Sequence, residues 1–219
     1  MKNTETKLEV GMLLYPGFTL LDLAGPLTVL SVHSKIELFS KSLDPVYSDS
    51  GTAILPTRTF GEVPARLDIL FVPGGFGTAD AMRNPEIIEF LKTCAPRAAY
   101  VTSVCTGSLI LAAAGLLDGY KATSHWAMRD QLVPFGAQPA EGRVVVDRNR
   151  ATGGGVTAGI DFGLTLLAKL RGRDAAEMIQ LALEYDPLPP FDSGSPDKAA
   201  PATVDKVRAW ITGMEQSAP

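Results

Sequence analysis

The sequence predicts an α/β protein, a three-layer α/β/α sandwich with a mainly parallel sheet. Its apolar runs are short and nearly continuous, which is typical of strands buried on both faces of a sheet. Several of them end in a Gly or Pro turn, and apolar residues at helical spacing follow. Strands that alternate with helices in this way favour parallel pairing through helical crossovers. In such a sheet, functional groups gather at the carboxyl ends of the strands.

The first half of the chain contains repeated strand-and-helix units. Leucines that recur between positions 20 and 30 indicate a helix, and the turn-rich stretch 44–51 predicts a β-excursion from the main sheet. The predicted strands are Leu8–Tyr15, Ile36–Ser40, Leu67–Val72 and Ala99–Val104. Two further helices are predicted, one over Ala79–Thr93 and one that ends near Gly115.

The second half continues the alternation and then departs from it. Strands are predicted at Ala122–His125 and Arg143–Val146, and helices at Ala127–Val133, Ala158–Arg171 and Ala175–Tyr185. A Pro/Gly/Ser-rich loop over 186–201 leads to a terminal helix at Ala202–Gly213. We expect one domain over residues 1–219, with its core at about 7–185 and a C-terminal loop and helix at 186–219.

Composition narrows the classes of function. The chain has 20 basic and 24 acidic residues, and no basic stripe that would attract nucleic acid. No apolar stretch approaches the ~20 residues that a bilayer requires, and the polar segment 1–7 does not resemble an export signal. We therefore expect a cytoplasmic protein that binds neither nucleic acid nor membrane. In a reducing compartment, Cys94 and Cys105 remain thiols.

Cys105 has the local sequence of a nucleophile elbow. The small residues Ser103 and Gly107, two before and two after it, allow a tight strand-to-helix turn. At a helix N-terminus, unpaired N–H groups and the helix dipole favour the thiolate, so we expect Cys105 to be the nucleophile. The alternative is a buried cysteine that packs as a small hydrophobe. Cys94 ends a helix and lacks comparable turn chemistry, so we expect it to be a partly buried structural residue.

Asp22 lies among leucines in a segment otherwise built for burial. Burial would raise the pKa of its carboxyl group, which could then hold a proton and act as general acid and later as base. The alternative is a carboxyl group that caps a helix N-terminus. Proximity to Cys105 decides between the two interpretations.

Further residues could supply hydrogen-bond donors. Thr106 offers a hydroxyl and an N–H group beside the nucleophile, and Gly74 and Gly75 offer N–H groups at the end of a neighbouring strand. Together they could bind developing negative charge. The alternative is that these Gly-rich turns only connect a strand to the following helix. Gly154, within a run of three glycines, could bring the backbone close to a ligand, but the run lacks the nucleotide-binding patterns.

His125 is predicted to end a strand at the same edge of the sheet, either as structural support or in contact with substrate. Because Thr106 follows Cys105, a cysteine–histidine dyad is not supported locally. His33 is expected at the surface. Two histidines and two scattered cysteines form no metal-ligand pattern, so no metal and no other cofactor is expected.

Several motifs together resemble the ThiJ/PfpI superfamily, whose class I glutamine-amidotransferase-like fold is flavodoxin-like. These motifs are Leu21–Pro26, Val72–Gly75, Tyr100–Ser108, Ala122–Trp126, Thr152–Phe162 and Pro189–Pro196. They look most similar to the isonitrile hydratase subgroup. In that subgroup the acidic partner is an aspartate, here Asp22, and a threonine, here Thr106, replaces the histidine of the protease-like branch.

The resemblance implies that Cys105 adds to an isonitrile and that water then releases an N-substituted formamide from a thioimidate. It assigns acid and base work to Asp22 and a supporting hydrogen bond to Thr106, and it includes His125 and Trp126 among the motifs of the substrate site. It also implies a homodimer. The alternatives are a cysteine hydrolase or glyoxalase-like enzyme and a redox sensor or chaperone. The AraC-type regulators share the domain, but we expect no helix-turn-helix within this length.

Overall fold

The computed structural model describes residues 6–217, which contain eleven strands and seven α-helices. The strands are β1 (Leu8–Leu13), β2 (Ser34–Ser40), β3 (Val46–Tyr47), β4 (Ala53–Ile54), β5 (Arg58–Thr59), β6 (Leu67–Val72), β7 (Ala98–Val104), β8 (Lys121–Ala122), β9 (Gln138–Pro139), β10 (Val144–Asp147) and β11 (Arg150–Gly153). The helices are α1 (Leu20–Leu30), α2 (Thr78–Arg83), α3 (Pro85–Cys94), α4 (Gly107–Ala113), α5 (Ala158–Arg171), α6 (Arg173–Ala182) and α7 (Pro201–Ser217).

Seven strands form one sheet in the order β10-β11-β7-β6-β1-β2-β5. Every pairing within it is parallel except that of β10 with β11. Helices α1, α5 and α6 pack together in one layer, and α2, α3 and α4 pack together in another. This arrangement confirms the predicted three-layer α/β/α sandwich. The β-excursion predicted for 44–51 is also present, as the separate β3–β4 ladder.

The central strands are buried on both faces, which explains their nearly continuous apolar sequences. Phe71 of β6 contacts the ring of Phe162 in α5 at a centroid distance of 5.7 Å. Phe39 of β2 contacts Phe90 in α3 at 5.4 Å. Aromatic side chains of the sheet therefore anchor both helical layers, at about 1 kcal/mol for each ring pair beyond the area it buries.

The helix predicted over Ala79–Thr93 is wrong, because the chain forms two helices there. Asn84 adopts an extended conformation between α2 and α3, and its side chain accepts hydrogen bonds from the N–H groups of Glu86 and Ile87. Pro85 has no N–H group for a continuous helical ladder, but it suits the first position of a new helix. The dipeptide Asn84-Pro85 therefore ends one helix and begins the next.

The region between residues 121 and 153 also differs from the prediction. Of the strand predicted over Ala122–His125, only β8 forms, and it pairs with β9 outside the main sheet. His125 instead begins a turn, in which its carbonyl accepts from Met128 N–H at 2.9 Å. The helix predicted at Ala127–Val133 is a 3-10 helix over Arg129–Phe135 that contains a proline. The sequence analysis also missed β11. Strands were predicted from runs of apolar residues, and the sequence of β11 is too polar to form such a run.

Two predictions about burial had different outcomes. His33 was expected at the surface, but the structure buries it to 7% exposure at the end of α1, so that prediction is wrong. Cys94 was expected to be a partly buried structural residue; it is fully buried, and burial raises its pKa to about 12. In the described part of the chain, no helix combines the length and the apolar composition needed to cross a membrane.

Helix α1, which carries Asp22, packs closely against α5 because glycines form the contact surface of α5. A Cβ atom added at Gly159 would lie 2.9 Å from Pro26 Cδ, and one added at Gly163 would lie 2.9 Å from Val29 Cβ. Both separations are too short for ordinary packing, so only glycine permits this approach of the two helices. The close packing fixes the helix from which Asp22 projects.

Candidate active site

Four neighbouring strands, β11, β7, β6 and β1, are mutually parallel, so their carboxyl ends meet at one edge of the sheet. From these ends the chain turns toward Asp22 after β1, Gly74 after β6, Cys105 after β7 and Gly154 after β11. A cavity of about 400 Å³ opens at this edge. The topology therefore brings together residues that are far apart in sequence, as expected for functional groups in a parallel sheet.

Cys105 occupies a strained turn between β7 and α4. Its φ of 55° lies in the left-handed region, which few residues other than glycine adopt. The Cys105 N–H group donates to the carbonyls of Gly153 at 3.1 Å and Gly154 at 2.7 Å. At Gly107, a Cβ atom would lie 2.2 Å from the Val72 carbonyl oxygen. The predicted strand-to-helix elbow is present, and the turn requires glycine at position 107 because a side chain there would clash with the backbone.

Asp22 is fully buried in the first turn of α1 and lies beside Cys105. Its Oδ2 atom accepts a hydrogen bond from Gly74 N–H at 2.9 Å, and no side chain caps the start of α1. The carboxyl and thiol groups interact directly, and each affects the pKa of the other. Their contact is looser than the bond to Gly74, since Oδ1 has no partner at hydrogen-bond geometry in the described residues. The capping interpretation of Asp22 is therefore wrong.

Burial controls the protonation of this pair. Desolvation raises the pKa of Asp22 to about 7, although the hydrogen bond from Gly74 and the interaction with Cys105 oppose the shift. Desolvation also raises the pKa of the Cys105 thiol well above its usual value, and the negative charge of Asp22 raises it further. The pair therefore holds at least one proton at neutral pH.

The structure does not favour the thiolate that we expected for Cys105 at a helix N-terminus. Helix α4 is only seven residues long, and burial has a larger effect on the Cys105 thiol than the two stabilising contacts from Thr106. The thiol is therefore the resting form, and Asp22 is the nearby group that can take its proton.

Thr106 supports the sulfur atom from the next position in the chain. Its N–H and hydroxyl groups both lower the pKa of Cys105. The same hydroxyl oxygen accepts from Gly75 N–H at 3.0 Å and lies 2.7 Å from Thr78 Oγ1. A hydroxyl group has one hydrogen and two lone pairs. When Thr106 donates to sulfur and not to the Gly75 carbonyl 3.5 Å away, its two lone pairs accept from Gly75 N–H and from Thr78, so Thr78 is then the donor to Thr106.

Thr78 and Tyr15 continue this line of hydroxyl groups away from the sulfur. Tyr15 Oη lies 3.4 Å from Thr78 Oγ1 and donates to the Pro73 carbonyl at 3.0 Å. Burial raises the pKa of Tyr15, so its phenol remains a donor. Sequence analysis missed both residues, because nothing in a sequence marks a hydroxyl that acts only through another hydroxyl.

The N–H groups of Gly74, Gly75 and Gly154 were candidates for binding a charged intermediate, and the structure gives each of them a protein partner. Gly74 donates to Asp22 and Gly75 donates to Thr106. Gly154 N–H donates to the Arg143 carbonyl at 2.9 Å. A Cβ atom at Gly74 would lie 2.5 Å from Thr106 N, so glycine is required for this close approach. These glycines therefore position Asp22, Thr106 and the Cys105 turn.

His125 lines the cavity as a neutral side chain. Burial lowers its pKa, and its Nδ1 atom accepts from Ala127 N–H at 3.3 Å. The proton of the neutral ring then resides on Nε2, which becomes a donor. Trp126 does not line the cavity. Its ring lies 5.6 Å from the His125 ring, and it therefore supports His125 from behind.

Most of the remaining cavity wall is apolar. Of the residues proposed from sequence, Gly75, Cys105, Thr106 and His125 line the cavity, and Asp22, Gly74, Trp126 and Gly154 lie behind it. Apolar lining residues that sequence analysis missed are Phe76, Ala79, Met82, Leu109, Met128, Val156, Trp210 and Ile211. Among the residues described, no three His, Cys, Asp or Glu side chains group closely enough to hold a metal ion.

The fold and the site define a class of protein: a three-layer α/β sandwich with a cysteine on a strand-to-helix turn beside a buried carboxyl group. Residues 9–169 match the DJ-1/PfpI family, and the chain belongs to that family. It is 51% identical to an isonitrile hydratase of Pseudomonas putida over 92% of this chain and 89% of that protein.

Two further relatives show how widely this domain is used. A crystal structure of a ThiJ/PfpI family protein from Pseudomonas syringae superimposes with a TM-score of 0.93 at 50% identity, and the match covers 96% of this chain and 88% of that one. The HTH-type transcriptional regulator GbdR of Pseudomonas aeruginosa is 35% identical over 81% of this chain. That match spans 51% of the regulator's length.

Removing the charge of Asp22 should make Cys105 more reactive. At about pH 8 the ionised Asp22 opposes formation of the thiolate, so Asp22→Asn should lower the pKa of Cys105 and speed its alkylation by iodoacetamide about tenfold, as for a shift of one pKa unit. Peptide mass spectrometry separates Cys105 from Cys94. Asp80→Asn, which removes another charge at the cavity, should leave the rate unchanged. A slower rate in Asp22→Asn would contradict the assigned coupling.

Removing the hydroxyl of Thr78 should have the opposite effect. In Thr78→Val the Thr106 hydroxyl loses its donor, so the thiolate is less stabilised and alkylation of Cys105 should slow about threefold or more, as for one lost hydrogen bond. Thr78→Ser keeps the hydroxyl and should restore the rate. Equal rates in the valine and serine variants would show that the side chain acts only by packing.

Proposed function

We propose that this protein hydrates isonitriles to N-substituted formamides, with Cys105 as nucleophile and Asp22 as general acid and base. The observation that carries the proposal is the contact between a buried thiol and a buried carboxyl group whose pKa is about 7. The terminal carbon of an isonitrile must gain a sulfur atom and a proton at the same atom, so both groups must approach it together. The 51% identity to the Pseudomonas putida isonitrile hydratase supports this assignment.

The first half of the reaction adds the thiol across the terminal carbon. Asp22 takes the proton from Cys105, and the sulfur attacks the carbon of R–N≡C. Asp22 then delivers that proton to the same carbon, which gives the thioimidate R–N=CH–S–Cys105. The S–H bond breaks while S–C and C–H bonds form, so no electrons are gained or lost. The Thr106 N–H and hydroxyl groups stabilise the transient sulfur anion.

The second half of the reaction hydrolyses the thioimidate. Asp22, again a carboxylate, takes a proton from water as the oxygen attacks the carbon, and the nitrogen receives the proton. The tetrahedral intermediate R–NH–CH(OH)–S–Cys105 then loses its hydroxyl proton, and its C–S bond breaks. The products are R–NH–CHO and the Cys105 thiol.

The other site residues have supporting roles in this proposal. Gly74 orients the Asp22 carboxyl group, and Gly154 holds the Cys105 turn through its carbonyl. His125 presents its Nε2–H donor to the oxygen or nitrogen of the intermediate, with Trp126 behind it. No cofactor takes part, because every step uses groups of this chain and water.

The assembly and location of the protein belong to the same proposal. We infer a single-domain homodimer of the cytoplasm, where a reducing environment keeps Cys105 and Cys94 as thiols. The net charge of −4 disfavours nucleic acid as a partner, and the partner that we propose is a small-molecule isonitrile substrate.

Turnover of cyclohexyl isonitrile, followed by NMR of the formamide, tests the proposal. Cys105→Ala should abolish product formation because no thioimidate can form. Asp22→Asn should reduce turnover at least about 100-fold, the usual contribution of a general acid and base. The matched control is Cys94→Ser, which changes the cysteine remote from the cavity and should keep wild-type turnover. Near-normal turnover in either site variant would disprove the assigned roles.

The competing activities require a parallel assay. Turnover of methylglyoxal without turnover of isonitrile would favour a glyoxalase-like enzyme. Oxidation of Cys105 by dilute peroxide without turnover of either compound would favour a redox sensor.

The pH dependence of the reaction follows from the pKa of Asp22. Below about pH 7 the carboxyl group is protonated and cannot take the thiol proton, so kcat/KM should rise with pH through about 7. It should then remain level until the Cys105 thiol itself ionises, because the raised pKa of that thiol separates the two steps. A profile that falls between about pH 6 and 8 would contradict this order of proton transfer.

A further inference from the structure

The outer part of the cavity is formed by a helix that lies outside the family match. The match to the DJ-1/PfpI family ends at residue 169, and α7 begins at Pro201. Two consecutive residues of α7, Trp210 and Ile211, nevertheless line the same cavity as Cys105. The part of the site shared with the family therefore supplies the reacting groups, and a separate segment completes the cavity.

Aromatic side chains hold α7 in place. The Trp210 ring meets the Phe76 ring edge-on at 5.7 Å, and the Arg208 guanidinium lies 4.9 Å from the centre of the Trp126 ring. Ile211 packs against the apolar core. The chain between α6 and α7 is largely exposed. The position of α7 thus depends on aromatic and apolar contacts around the site.

The depth of the cavity separates the reacting atoms from α7. Cys105 is 6% exposed at the floor, whereas Trp210 is 57% exposed at the mouth. The C–N–R axis of a free isonitrile is linear, so a carbon that approaches the Cys105 sulfur directs its substituent R away from the floor. An R group larger than methyl then reaches the apolar side chains of the outer cavity.

The charged side chains of the lining are already partnered. Arg83 forms an ion pair with Asp80 at 2.6 Å, and Asp49 accepts a hydrogen bond from the Thr19 hydroxyl. An anionic R group would find Arg83 already paired with Asp80 and would be repelled by Asp49, whereas an apolar one contacts aromatic, methionine and isoleucine side chains.

We propose that Trp210 and Ile211 of α7 determine substrate preference by contacting the R group, and that they favour bulky apolar substituents such as cycloalkyl or aryl groups. The proposal rests on isonitrile hydration as the function of the site. It assigns a role in specificity, separate from catalysis, to a segment that lies beyond the shared family region.

The test compares kcat/KM for cyclohexyl isonitrile and methyl isonitrile in four proteins: the wild type, Trp210→Ala, Ile211→Ala and Tyr47→Ala. Trp210→Ala should lower kcat/KM for the cyclohexyl substrate about tenfold and change the value for methyl isonitrile less than about twofold, since only the larger substituent reaches the wall. Ile211→Ala should show a smaller shift in the same direction. Tyr47 is 58% exposed and does not line the cavity, so Tyr47→Ala controls for loss of an exposed aromatic residue.

The outcomes separate this proposal from the proposed function. A wild type that hydrates neither isonitrile would disprove the function itself. A wild type that hydrates both, together with a Trp210→Ala variant whose substrate ratio is unchanged, would disprove only the role of α7. Equal losses for both substrates would also overturn it, since they would assign Trp210 to the integrity of the site. Trp210→Phe should retain most of the preference because it keeps an aromatic wall.

Discussion

Burial of the Asp22 carboxyl group beside the Cys105 thiol is the constraint on which the site depends. Neither group can easily carry a charge without water, so each retains its proton to a higher pH than it would in solution. This arrangement requires support, which comes from the Gly74 N–H bond to Asp22 and from the two carbonyls that hold Cys105 N–H at a positive φ. The surrounding turns therefore fix the positions of the two groups that we propose to react.

The same constraint explains why a weak local acid suits the chemistry. A carboxyl group with a pKa of about 7 can exchange a proton with a thiol in either direction near neutral pH. A thiol that rests protonated also carries with it the proton that the substrate carbon needs. The hydrogen bond from Thr78 to Thr106 leaves the Thr106 hydrogen available to the sulfur when it becomes an anion. At Cys105, burial therefore raises the pKa of the thiol and hydrogen bonding lowers it. The balance keeps the thiol unreactive at rest and still able to react with a substrate.

The cavity divides into two parts with different origins. Its floor comes from strand ends within the region shared by the DJ-1/PfpI family, and part of its mouth comes from α7. Domains of this family also occur within longer proteins such as the regulator GbdR. One fold can therefore accommodate different ligands if the residues at the cavity mouth vary while those at the floor stay the same. Such changes at the mouth do not disturb Cys105 and Asp22.

The sequence alone determined the sandwich, the elbow at Cys105 and the importance of Asp22, because apolar periodicity, turn residues and a carboxylate among leucines are local signals. Four features became apparent only in the tertiary structure. They are the polar strand β11, the break between two helices at Asn84, the burial of His33 and the protonated resting state of the Cys105 thiol. The tertiary structure also decided that Thr78 and Trp210 belong to the site. These features depend on which distant segments approach one another and how much water they exclude, and no local pattern encodes either quantity.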